Sequence, residues 1–142
     1  MTDMTRAERE AFLAEVRVGV VAIARDDRAP IAVPIWYNYV PGGDLGLWME
    51  AHTAKAHWLR RHERFTFVVQ DDTRRPYRYV SVSGPVISMA PIDMTRELEP
   101  LVHRYLDQQA AEDYLADMRG PGGLDGNLYV RMRPEHWRAE IL

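Results

Sequence analysis

The sequence predicts a mainly β fold of the α+β class, with helices packed against an antiparallel sheet or small barrel. The predicted strands follow one another mostly as hairpins, one short helix interrupts them, and the longer helices come late in the chain. Strands and helices do not alternate as they would in a parallel sheet. With 142 residues, the chain is expected to form one domain, 1–142, around a single core.

The first half of the chain is predicted to contain a helix, three strands and a second, short helix. Thr5 and Glu8 have the spacing of a capping box, which predicts that the first helix begins at Thr5. β-Rich runs separated by the turns "DDRAP" and "PGGD" predict the three strands. The strands are predicted at residues 18–25, 31–40 and 45–51, and the short helix at about residues 53–62.

The second half is predicted to begin with two more strands and to continue with helices. The runs "FTFVVQD" (65–71) and "YRYVSVSGPVISM" (77–89) are β-rich and flank the turn "DTRRP". Asp93 has the position of a helix cap, and apolar residues at helical spacing predict one helix through Tyr105 and another near Met118. The loop "RGPGGLDGN" then leads to one or two closing strands in "LYVRMRPEHWRAEIL".

Composition excludes several classes of function. Hydrophobic residues make up 46% of the chain, charged residues 27%, and the net charge is -3, which is typical of an ordinary globular protein. The mild acidity argues against nucleic acid as a partner, and no apolar run is long enough to span a bilayer. There is no cysteine, which removes disulfides and thiol chemistry. We therefore expect a cytoplasmic protein that binds neither nucleic acid nor membrane.

Lys55 is the only lysine among 18 lysine and arginine residues. It falls in the first turn of the predicted short helix, directly after Thr53 as the helix cap, and a positive charge there opposes the helix dipole. The free amides of that turn, the Thr53 hydroxyl and the Lys55 ammonium together have the composition of a phosphate site. The alternative, which the spacing leaves open, is a lysine on a solvated helix face.

Other polar patterns predict no further chemistry. His52, His57 and His62 recur every five residues, a spacing that turns their side chains away from one another on a helix, so no metal site is expected. His52 precedes the short helix and has the position to donate to a phosphate. Asp71 and Asp72 are adjacent at a strand end, where neighbouring side chains point to opposite faces, and they predict a turn.

Three stretches in order, "VPIWYNY", "TAKAHWLRRHERFTFVV" and "YRYVSVSGP", resemble the flavin-binding split β-barrel proteins. The resemblance covers residues 18–84 and is closest to pyridoxamine 5'-phosphate oxidase relatives such as the actinobacterial deazaflavin-dependent reductases. It implies an antiparallel split β-barrel of Greek-key type, with the short helix after the third strand. It also implies a homodimer that holds its cofactor in a groove at the subunit interface.

The resemblance assigns cofactor-binding roles residue by residue and names no catalytic residue. Trp36, Tyr37, Tyr39 and Trp48 also form a predicted aromatic group suited to packing a flavin ring, with core packing as the alternative for the two tyrosines. The resemblance implies that Thr53 and Lys55 bind the phosphate and that Pro34, Ile35 and Trp36 lie along the ring system. It also implies that Trp48 and Met49 are the cofactor-binding strand residues just before the phosphate-binding helix, and that Arg78 and Tyr79 approach the cofactor from another strand.

The pattern departs from the vitamin-processing oxidases. Their Trp-Gly-Gly and Arg-x-His-x-Arg motifs have no counterpart in the closing segment, so oxidation of pyridoxamine phosphate is not expected. The resemblance instead implies an oxidoreductase that uses FMN or the deazaflavin coenzyme F-420 to transfer a hydride to a small unsaturated substrate. Tyr37, Arg78 or bound water are the candidate proton donors. The alternative function is a flavin- or haem-binding carrier or sensor without turnover.

Overall fold

The computed structural model describes residues 2–142, whose strands form one antiparallel sheet that curls into a barrel. The order along the sheet is β3-β2-β6-β7-β8-β5-β4, with β9 paired to β7 and β1 paired to β9. The strands are β1 (Thr2–Asp3), β2 (Gly19–Arg25), β3 (Arg28–Ile35), β4 (Tyr37–Asn38), β5 (Leu45–Glu50), β6 (Arg64–Asp71), β7 (Arg78–Pro91), β8 (Asn127–Met132) and β9 (His136–Ile141).

The helices begin where the sequence predicts. Thr5 forms the predicted capping box with Glu8, and Thr53 and Asp93 also cap helical segments. The segment after Asp93 starts in π geometry, in which the Leu98 amide donates to the Asp93 carbonyl at 3.0 Å. No described helix is long and apolar enough to cross a membrane. The helices are α1 (Arg6–Ala14), α2 (Ala54–His62), the π-helical Met94–Leu98, α3 (Glu99–Tyr105) and α4 (Gln108–Met118).

The predicted single strand at residues 31–40 is wrong, because the chain changes partner at Trp36. β3 pairs with β2 up to Ile35, whereas β4 pairs with β5 from Tyr37 onwards. Trp36 belongs to neither ladder. This change takes the chain from one edge of the sheet to the other and closes the barrel. The position of the change depends on which distant strands pair with the segment, so local β propensity does not predict it.

The long strand β7 lies in both halves of the barrel. Its first half pairs with β6 and β9, and its second half pairs with β8 after a register shift between Val86 and Ser88. Gly84 lies at the transition, where a Cβ atom would be 1.9 Å from the carbonyl oxygen of Arg133. Only glycine therefore allows the two backbones to approach this closely.

Two apolar clusters fill the molecule. The first, the barrel core, lies inside the barrel and includes Phe12 and Leu13 of α1 together with Leu59 of α2. The second, the helix core, lies between the helical segments and β8 and includes Leu98 and Tyr129. Alternation along the strands produces this arrangement, because successive side chains face opposite sides of the sheet.

Candidate functional site

The turn between β5 and α2, which we call the hinge, is held by the Thr53 side chain. Its hydroxyl donates to the Glu50 carbonyl at 2.8 Å and accepts from the Ala56 amide at 3.3 Å. The Thr53 amide also donates to the Glu50 carbonyl, at 3.2 Å. Thr53 therefore fixes the start of α2, and its hydroxyl proton is already used within the hinge.

Lys55 lies half-buried in the first turn of α2. Within residues 2–142, its ammonium has neither a carboxylate partner nor a hydrogen-bond acceptor in the protein. The first turn of α2 contains no acidic residue, while the last turn contains Arg60, Arg61 and His62, where positive charge is favourable. The positive charge of Lys55 thus adds to the positive end of the helix dipole, and no described carboxylate forms an ion pair with it.

The glycine-rich loop before β8 borders the hinge, and Asn127 holds it there. The Ala51 amide donates to the Gly126 carbonyl at 2.7 Å. The Asn127 side chain, which is 9% exposed, donates to the Asp125 carbonyl at 3.3 Å and accepts from the Trp48 indole at 2.9 Å. Sequence reasoning missed Asn127, because a single asparagine at a strand start is an ordinary turn residue.

Trp48 and Met49 lie on opposite faces of β5, as neighbouring strand residues do. Met49 is 4% exposed and packs in the barrel core, so only its backbone is available to a ligand. Trp48 packs against the helix core, where its ring meets Tyr114 edge-on at 6.1 Å. The two residues therefore cannot both present their side chains to one ligand.

Pro34, Ile35 and Trp36 have three different environments. Pro34 is exposed on the outer face of β3, while Ile35 packs against the barrel core. Trp36 is half-buried and stacks on Tyr105, with the ring centroids 4.7 Å apart and the planes 8° from parallel. Because Tyr105 covers one face of the indole, a flat ligand can stack only on the other face.

The expected group of four aromatic residues does not form. Tyr37 and Tyr39 are 0% and 3% exposed, which confirms the core alternative for both. The Tyr37 ring packs edge-on against Phe67 at 4.8 Å, while Trp36 stacks on Tyr105 of α3 and Trp48 meets Tyr114 of α4 edge-on. The change of partner at Trp36 and the alternation along β5 separate the four rings.

Tyr37 is also excluded as a proton donor. Its hydroxyl donates to the carbonyls of Leu13 at 2.7 Å and Glu15 at 3.1 Å. Burial raises the pKa of Tyr37 to about 12, and the positive charge of Arg104 only partly opposes this effect. The hydroxyl is therefore committed to the end of α1 and has no access to a substrate.

Arg78 and Tyr79 are both engaged in bonds within the protein. Arg78 donates to Asp71 at 3.0 Å, and its guanidinium lies 4.9 Å from the centre of the Phe12 ring. The hydroxyl and amide of Thr73, followed by Arg78, lower the pKa of Asp71 to about 2. Tyr79 donates its hydroxyl to Glu140 across the ladder, and this bond raises the pKa of Tyr79. The two side chains point to opposite faces of β7.

Of the three regularly spaced histidines, only His52 lies in the hinge itself. His52 is exposed, and its Nε2 lies 3.3 Å from a Glu50 carboxylate oxygen. Among residues 2–142, no three histidine, aspartate or glutamate side chains are grouped closely enough to hold a metal ion.

Comparison with known proteins supports the fold. No protein-family model and no curated protein sequence matches the chain. A conserved hypothetical protein from Mycobacterium tuberculosis superposes with a TM-score of 0.75 at 23% identity, covering 97% of this chain and 85% of that one. An F420 reductase gives a TM-score of 0.72 at 20% identity, covering 91% of this chain and 94% of that one. An FAD and heme binding protein from Mycobacterium smegmatis gives 0.67 at 19% identity, covering 96% and 71% respectively.

These likenesses confirm the antiparallel split β-barrel predicted from the sequence. The solved neighbours are split-barrel proteins of the pyridoxamine 5'-phosphate oxidase-like type, and flavin-type cofactors recur among them. The shared property is the architecture, because the sequence identities lie between 19% and 23% for the three structures described.

Proposed function

We propose that this protein is a homodimeric oxidoreductase that binds FMN or the deazaflavin coenzyme F-420 and reduces a small unsaturated organic molecule. The observation that carries the proposal is the uncompensated positive charge of Lys55 at the start of α2. A phosphate group there would complete a site for which the ammonium and the first-turn amides are suited. The fold supports the same conclusion, since solved proteins with this architecture include an F420 reductase.

The described residues fit a phosphate-bearing cofactor at the hinge. Lys55 would neutralise the phosphate, and Thr53 would keep the first turn of α2 in place without donating its own proton. Asn127 would hold the glycine-rich loop beside the hinge and Trp48 against the loop. When bound, a flavin or deazaflavin ring supplies the two-electron chemistry, and the protein supplies binding, orientation and exclusion of water.

The outer face of the sheet supports the homodimer. Its two rows run across β3, β2, β6 and β7 and hold small or weakly polar side chains and no charge, and Val20 in the first row is 39% exposed. Uncharged, partly exposed side chains in adjacent rows of this kind are typical of an interface between subunits, although the rows continue on β9 as Arg138 and His136. The rows are Pro34, Val20, Val68 and Ser81, and Ala32, Ala22, Thr66 and Ser83.

The phosphate role is tested by Lys55→Ala in separate titrations with FMN and with coenzyme F-420. The variant should bind the cofactor roughly tenfold or more weakly, because a hydrogen bond to a charged group contributes about 1.5–3 kcal/mol. Arg61→Ala is the matched control, since it removes one positive charge from the last turn of the same helix. Equal affinities of the wild type and Lys55→Ala for both cofactors would refute the phosphate role.

The dimer is tested by sedimentation velocity. Val20→Asp places a charge in the middle of the uncharged face and should convert the dimer to monomers. Val40→Asp is the control, because Val40 is 65% exposed and precedes the β4–β5 turn, away from this face. A monomeric wild type, or a Val20→Asp protein that remains dimeric, contradicts the proposal.

Binding without turnover is the second candidate function. The candidate proton donors Tyr37 and Arg78 are occupied by bonds within the protein, and a solved neighbour is an FAD and heme binding protein. Loading the protein with each reduced cofactor and adding unsaturated acceptors separates the two functions. Reoxidation of the bound cofactor by an acceptor supports the enzyme, whereas stable binding with no reoxidation supports the carrier.

A further inference from the structure

A second polar groove lies away from the hinge, between α1 and the turns that follow β4 and β8. Its volume is about 400 Å³, which is within the range of small-molecule sites. None of its lining residues belongs to the hinge or to the glycine-rich loop. Its lining includes Arg6, Arg9, Tyr39, Arg133, Glu135 and Trp137.

The acidic side chains in this groove already have basic partners. Each carboxylate forms its ion pair with an arginine other than Arg9. The pairs are Arg6 with Glu10 at 3.5 Å, Arg133 with Glu135 at 3.3 Å and Arg131 with Asp44 at 4.0 Å.

Arg9 is the cation in the groove that lacks such a partner within residues 2–142. Its guanidinium lies 4.7 Å from the centre of the Trp137 ring, which holds it against the wall of the groove. Its Nε is buried and has no hydrogen-bond acceptor. A buried donor without an acceptor is unfavourable, and more so when it carries charge.

We propose that the groove binds a small molecule through an oxyanion, either a carboxylate or a phosphate group, with Arg9 as its principal contact. The planar guanidinium can donate hydrogen bonds to such a group through its two terminal nitrogens, which have no acceptor in the described protein, while the buried Nε stays behind them. Trp137 orients the guanidinium by stacking, so the site is formed before the ligand arrives. The ligand would supply the negative charge that the paired carboxylates of the groove do not.

The proposal is tested by NMR titration of the full chain with inorganic phosphate and, separately, with acetate. Sodium chloride at the same ionic strength serves as the reference. The Nε–H resonance of Arg9 and the indole N–H resonance of Trp137, assigned from Arg9→Lys and Trp137→Phe, should shift and saturate with at least one of the two anions. Comparison of the two titrations decides between a phosphate and a carboxylate ligand.

Three variants make the test specific, with the Trp137 indole resonance as the reporter. Arg9→Gln should weaken anion binding roughly tenfold or more. The double variant Arg6→Gln, Glu10→Gln removes a neighbouring ion pair from the same groove without leaving an unpaired carboxylate, and should bind nearly as the wild type does. Lys55→Ala should also leave this binding unchanged, which separates it from the proposed phosphate site at the hinge.

Two results of these titrations would contradict the proposal. A response no larger than that to chloride, for both anions, would overturn the proposal. Equal weakening in Arg9→Gln and in the Arg6→Gln, Glu10→Gln double variant would also overturn it, because anion binding would then not depend on Arg9 in particular.

Discussion

The hydroxyl of Tyr37 connects the barrel to the end of α1, and its removal in Tyr37→Phe should destabilise the protein at neutral pH. The phenylalanine ring keeps the edge-on contact with Phe67. The carbonyl of Glu15 keeps a donor in Arg104 at 2.8 Å, whereas the carbonyl of buried Leu13 loses the Tyr37 hydroxyl. An unsatisfied buried acceptor lowers the free energy of unfolding by about 1–3 kcal/mol.

The same substitution should change the response to alkaline pH. Burial raises the pKa of Tyr37 from 10.0 to about 12 in the folded state, so the unfolded chain loses this proton first. The stabilisation by neutral Tyr37 is therefore complete below about pH 10 and is lost as the pH rises towards about 12. About 2 pKa units at about 1.36 kcal/mol each give about 2.7 kcal/mol in total, of which about 1.4 kcal/mol is lost by about pH 11.

Urea unfolding at neutral pH and near pH 11 measures both effects. Tyr37→Phe should be less stable than the wild type at neutral pH. The difference between their free energies of unfolding should become smaller by about 1.4 kcal/mol near pH 11. Tyr77→Phe is the matched control, because its ring is 39% exposed. A gap between wild type and Tyr37→Phe that stays constant over this range would show that the hydroxyl is not buried and bonded as described.

Two further substitutions test the packing and charge of β7 and its neighbours. Gly84→Ala places a Cβ 1.9 Å from the Arg133 carbonyl oxygen. It should lower the urea midpoint of unfolding by the equivalent of about 1–3 kcal/mol or more. An unchanged midpoint would contradict the close approach of the two backbones. Thr73 and Arg78 lower the pKa of Asp71 from its ordinary value of 3.8 to about 2. The ionised Asp71 should therefore stabilise the fold fully above pH 3.8, and this stabilisation should be lost as the pH falls through about 2. Asp71→Asn should therefore flatten the acid limb of stability, and a carboxyl NMR titration with its midpoint near 3.8 would exclude this role.

Local features of the sequence predicted the helix starts and most of the strands correctly. Thr5, Thr53 and Asp93 each cap a helical segment, because a cap depends on residues only three or four positions away. The β-rich runs at residues 65–71 and 77–89 predicted the strands β6 and β7. The two-residue strand β1 was missed, since it is too short to show a period, and β4 was predicted only as the continuation of β3.

The candidate site was predictable only in part, for the same reason. Lys55 could be singled out because its type and its place in the first helical turn are both local facts. The partners of Trp36 and Trp48, which are Tyr105 and Asn127, lie 69 and 79 positions away in the chain, and no pattern in the sequence relates them. The sequence left Tyr37 open as one of three candidate proton donors, because its burial is set by α1 and β6 together.

The sequence by itself determined the class of fold, the capped start of α2 and the single lysine within it. Only the tertiary structure decided that the chain changes partner at Trp36, that Asn127 holds the glycine-rich loop beside the hinge, and that Arg9 lines a groove without an ion-pair partner. Capping and alternation act over a few residues, whereas closure of a barrel and the pairing of buried polar groups depend on which distant segments meet.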